Sequence, residues 1–273
     1  MTDIDPLALS PEYQQLRQQY ETLVSEYTAL VARYQDMVAH ESPHLSALYM
    51  HYFGELLYNQ LRLSLSIALL RLRRTLLQAY INRDEAPDLA AVDKQMAQMR
   101  QEYHAMLEEK LSQLNIAKKY WDKPHLSEEE TQKIKEIYKT LVKRLHPDLN
   151  PHYTEEDKKL FLLTVKAYQL ADLPQLEGIL AFLKRGKHEE LFPEPDTLPQ
   201  EIEKLRAKMQ ALESKIAKRQ ERFPFDQKEL LLNPVSVQDK RAELQGVIKE
   251  LEASKKQLQT IISLMEEYKS HEL

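Results

Sequence analysis

From Tyr13 to Met37 the apolar residues advance in alternating steps of three and four: Tyr13, Leu16, Tyr20, Leu23, Tyr27, Leu30, Tyr34 and Met37. A stripe with that period runs along one side of an α-helix and does not fit the two-residue repeat of a strand. The spacing returns at Ile202, Leu205, Met209, Leu212 and Ile216. It appears again at Leu244, Ile248, Leu251, Lys255, Leu258, Ile262 and Met265, where Lys255 is a polar interruption of the kind that sets register. With four glycines in 273 residues, nothing competes with long helices. The expected fold class is all-α. The tyrosines at alternate seam positions are read as packing, with each hydroxyl reaching out at the seam edge.

Ser10-Pro11-Glu12 is a helix start, an N-cap followed by proline at the first helical position. The first helix is expected to reach about Ala39, where His40-Glu41-Ser42-Pro43-His44 breaks it. A second, from Leu45 to about Asn82, is apolar on two faces, as suits the middle of a bundle. A third covers about Leu89 to Lys119, after a break at Asp84–Asp88. The three are expected to form a helical bundle or coiled coil over 1–119. A helical unit spans 120–185, a proline-rich linker 186–199, and an antiparallel coiled-coil hairpin 200–273, folded back at Phe223-Pro224-Phe225. These seams can close within one chain or between two, so a homodimer is open at this level.

Chemistry concentrates in Ile134–Asn150, IKEIYKTLVKRLHPDLN. Ile134, Ile137, Leu141 and Leu145 make one apolar stripe. Lys133, Lys135, Lys139, Lys143 and Arg144 make the remaining surface positive. Ser127 followed by Glu128, Glu129 and Glu130 is a capping-box start with acids at the positive helix end. Pro147 pushes the residue before it out of the α region, so the helix should end near Leu145 or His146. His146 and Asp148 then sit on a tight, exposed loop. A second amphipathic run, Glu155–Ala171, follows with Leu160, Phe161, Thr164, Ala167 and Tyr168 on one face, and should pack antiparallel on the first. Leu173–Leu183 reads as a further short helix.

The run Tyr138, Lys139, Leu141, His146, Pro147, Asp148, continued by Asn150-Pro151 and by Phe161, Ala167 and Tyr168 in the next helix, resembles the J-domain of the DnaJ co-chaperone family. The resemblance covers about a quarter of the chain. It implies that His146, Pro147, Asp148 and Asn150, with the basic face of Lys135, Tyr138, Lys139 and Lys143, dock on the ATPase domain of a DnaK-type heat-shock chaperone and stimulate its ATP hydrolysis. Asp148 would pair with a partner cation. The chain departs from the family at Leu149, where a lysine is usual, and at Asp172-Leu173-Pro174-Gln175, where a Gln-Lys-Arg run is usual. No family-type first helix stands upstream. The end of the third helix, around Leu111, Leu114 and Tyr120-Trp121, is expected to replace it against the Ile134 stripe.

A net charge of −5 argues against nucleic acid as the main partner. There is no cysteine, hence no disulfide and no cysteine zinc module, which suits a reducing compartment. The acidic opening, Thr2–Pro6, does not read as a signal peptide, and no apolar run is long enough to span a bilayer. A cytoplasmic location is expected. Segment 61–77 is basic and leucine-rich enough to lie on a membrane surface, although a neighbouring helix would bury the same faces. His40, His44 and His51 lack a third metal ligand in a chelating pattern. No phosphate loop or nucleophile motif is present, so neither a cofactor nor an enzyme activity of its own is expected. The helical arms outside 120–185 are expected to bind clients or scaffold partners. The alternative is a structural coiled-coil scaffold that keeps a J-like fold without chaperone coupling.

Overall fold

The computed structural model describes residues 10–121, 126–150, 153–185 and 193–268. Those residues form helices and turns, with no strand among them. The helices are α1 (Pro11–Asp36), α2 (Ser42–Ile81), α3 (Leu89–Trp121), α4 (Glu128–Leu145), α5 (Glu155–Gln169), α6 (Leu173–Arg185), α7 (Leu198–Gln220), α8 (Lys228–Leu232) and α9 (Pro234–Glu266). None of the described helices is long and apolar enough to cross a membrane. Residues 1–9, Asp122-Lys123-Pro124, Pro151 and the first half of the expected linker, 186–192, lie outside the described residues.

The chain divides into two compact units, each discontinuous in sequence: 1–43 with 124–226, and 44–123 with 227–273. This differs from the expected segments. The first helix does not share a unit with α2 and α3; it packs with α4 and α7. The two helices of the expected C-terminal hairpin fall in different units, α7 in the first and α9 in the second. The reason lies in the seams. A heptad stripe specifies that a partner helix must cover it and leaves open which one.

In the first unit, the Tyr13, Leu16, Tyr20, Leu23 and Tyr27 stripe of α1 is covered by Leu198, Ile202, Leu205, Met209 and Leu212 of α7. The two helices run parallel, since Tyr20 feels the charge of Glu201 while Tyr27 and Lys208 converge on Asp148. A second core joins α4, α5 and α6 with the end of α1. Ile134, Ile137, Tyr138, Leu141, Val142 and Leu145 pack with Ala32, Ala167, Tyr168, Leu176, Ile179 and Leu183. The Ile134 stripe is covered from α1 by Val31 and Ala32, whereas the end of α3, expected in that place, belongs to the second unit. Leu114 is instead buried in the second unit, where it approaches α2 so closely that a Cβ on Gly54 would stand 2.1 Å from its Cδ2.

In the second unit, α2 and α3 run antiparallel and the Trp121 indole donates to the Ala47 carbonyl at 3.3 Å. Leu77, Val92, Met96, Ile262 and Met265 form the core shared with α9. Arg73 ties the three helices together, donating to Asp93 at 2.6 Å and to Glu266 at 2.5 Å. The apolar residues of 61–77 thus have neighbours: Leu63, Ile67 and Leu77 are buried.

The break expected at His40–His44 is absent. Met37–Glu41 forms one π-helical turn and α2 begins at Ser42. Pro43 has no N–H to return to the preceding turn, and its ring crowds the carbonyl four residues back. Widening the turn relieves both, and the Ser42 N–H bonds the Met37 carbonyl.

Candidate functional site: the His146–Asp148 loop

Helix α4 starts and stops as its residues dictate. The Ser127 hydroxyl accepts from the Glu130 N–H at 3.1 Å, and Glu130 accepts from the Ser127 N–H at 2.9 Å. At the other end His146 is already extended, with φ −72° and ψ 131°, and its N–H closes the last turn on Val142. Helix α5 opens with a second capping box, Thr154 with Asp157. The two helices are antiparallel: Tyr138 stacks on Tyr168 at 4.0 Å, while His146 lies edge-on to Phe161 at 5.1 Å.

The loop between them is held by its own groups. The Asp148 N–H donates to His146 Nδ1 at 3.1 Å, the Leu149 N–H to the His146 carbonyl at 3.0 Å, and the Asn150 amide to the same carbonyl at 2.9 Å. His146 Nδ1 accepts, so the ring is neutral with its proton on Nε2. Burial lowers its pKa, against the pull of Asp148 and with the help of Lys208.

Asp148 is engaged on both carboxylate oxygens. The Tyr27 hydroxyl donates to Oδ2 at 2.5 Å and the Lys208 ammonium to Oδ1 at 2.8 Å. Burial raises its pKa, but these two donors and the nearby charges outweigh it and hold the carboxyl below the usual range. The Tyr27 ring also stands edge-on to His146 at 5.5 Å. Leu149 is buried in the α1–α7 core.

The predicted site residues therefore separate. Pro147, Lys139 and Lys143 are exposed. His146, Asp148 and Asn150 are half-buried on the loop. Lys135 is paired with Asp36 at 2.9 Å, and Asp36 also accepts from the Tyr168 hydroxyl at 3.1 Å. Tyr138 does not belong to the exposed face. It is 1% exposed and fills the core behind the loop, because the α4 stripe is wide enough to include it and Val142. Tyr27, Asp36 and Lys208 were not foreseen. Tyr27 and Lys208 lie on or beside heptad seams, a signal for packing that carries no hint of a carboxylate between them.

Among the described residues no three histidines, aspartates or glutamates come together as a metal site. His44 and His51 pack on Trp121, and His40 packs on Tyr168. Compared with known proteins, the chain matches no family model, no curated protein and no solved structure.

Proposed function

We propose that the protein is a J-domain co-chaperone that docks on a DnaK-type heat-shock chaperone in the cytoplasm and stimulates its ATP hydrolysis. The helices outside the α4–α6 hairpin would hold clients or scaffold partners. One observation carries this reading: a basic, capped helix ends at a proline turn that presents His146-Pro147-Asp148, with the Tyr138–Tyr168 stack fixing the next helix behind it. In this reading Asp148 meets a cation of the partner, and Lys139 and Lys143 steer the encounter electrostatically. Asn150 and Tyr138 support the loop rather than touch the partner, since one pins the His146 carbonyl and the other is buried. ATP is hydrolysed in trans; this chain supplies no catalytic group.

The second reading is a scaffold in which the loop has become a structural joint. It is favoured by the two internal donors on Asp148 and by the burial of Leu149. Steady-state ATPase assays with several DnaK-type chaperones decide between them. A co-chaperone raises the rate, its Asp148→Asn variant does not, and the gain weakens with added salt. A scaffold leaves every rate unchanged.

A further inference from the structure

We propose that α1 and α7 form a built-in cover over the His146–Asp148 loop, with Tyr27 and Lys208 holding Asp148 in the place a partner's cation would take, so that the loop docks only when this pair lets go. The inference rests on the docking role proposed above and adds its regulation.

Three contacts on different groups carry it. Lys208 supplies Oδ1 with the kind of cation that a docking partner would bring. Tyr27 takes Oδ2 and lays its ring edge against His146, so two of the three loop residues face α1. Leu149 anchors the following residue between α1 and α7. A carboxylate with a charge-assisted donor on each oxygen has little left to offer an incoming cation until one donor leaves. The α7 half of the cover can also come off without dismantling the hairpin. The core of α4, α5 and α6 contains no α7 residue, and Lys208 keeps 43% of its side chain exposed. A partner of sufficient affinity would open it by competing for Asp148, which is a shift between closed and open populations.

The test uses the full chain and the double variant Tyr27→Phe/Lys208→Glu. Phenylalanine keeps the seam packing and removes the hydroxyl. Glutamate, at an exposed position, replaces attraction to Asp148 with repulsion. Amide hydrogen exchange at Asp148 and Leu149 reports the loop directly, and ATPase stimulation of a DnaK-type chaperone reports docking. Lys208→Arg, which preserves the cation, should behave as the parent. Loss of one charge-assisted bond shifts such an equilibrium by about tenfold, and the double variant loses two, so exchange at both amides should rise by at least that order. Stimulation should rise with it and vanish when Asp148→Asn is added. Unchanged exchange overturns the cover. So does faster exchange with stimulation no higher than that of the parent chain. Faster exchange with no stimulation by either protein overturns the docking role itself, and the regulatory inference falls with it.

Discussion

Tyr27 sits at a seam position, yet its hydroxyl leaves the seam for Asp148. Both that hydrogen bond and burial push its phenol pKa up. The loop it touches should therefore respond to acid in two steps. His146 is held neutral, with a pKa below its ordinary value near 6.5, so the unfolded chain takes up a proton more readily than the folded one. Stability from this group is complete above about pH 6.5 and falls as the pH drops toward the folded pKa. His40, buried beside Tyr168 with Asp36 and Lys135 nearby, titrates in the same direction. Asp148 acts at lower pH. Its depressed pKa means its contribution is present above about pH 3.9 and is lost as the pH falls through the folded value. An NMR titration of the His146 ring should give a midpoint below 6.5, with the Leu149 amide losing protection over the same range. A midpoint above 6.5 would contradict the geometry at Nδ1.

At the scale of elements, the α4–α5 hairpin is where sequence and structure agree most closely. Ser127, the Ile134 stripe and Pro147 are local signals, and each acts within a few residues of itself. Leu141 is fully buried at the centre of that stripe. Leu141→Ala should cost about 3 kcal/mol in urea unfolding. Thr154→Ala, which removes one capping box, should cost about 1 kcal/mol. The corner between α5 and α6 holds a cost that a sequence reading does not reveal. Ala171 has φ 53°, in the left-handed region, where it closes the end of α5 with the Asp172 N–H on the Ala167 carbonyl. Ala171→Gly should therefore stabilise the chain by about 0.5–1 kcal/mol in the same measurement. A loss would mean that the methyl's packing against the α4–α6 core matters more than the backbone. The π turn at Met37–Glu41 is a converse case. Pro43 marks a break in the sequence, yet here it widens the winding instead of ending it.

For the whole molecule, no core described above is shared between the units: two lie in the first and one in the second. Leu141→Ala should speed hydrogen exchange in α4, α5 and α6, and Leu77→Ala in α2, α3 and α9, since Leu77 is fully buried with Val92 and Ile262. Equal effects of both changes in all helices would contradict separate cores around Leu141 and Leu77. By itself the sequence determined that the chain is helical, where most helices begin and end, which face of each is apolar, and that a capped helix stops at His146-Pro147. All of these follow from periodicity, capping and proline, which are local. Only the tertiary structure decided that α1 pairs with α7, that Ala32 meets the Ile134 stripe, and that Asp148 rests between Tyr27 and Lys208. Heptad seams of similar length are interchangeable as partners along a chain. The choice among them is made by side-chain fit and charge between residues such as 27, 148 and 208, which lie far apart in sequence and meet only in the folded protein.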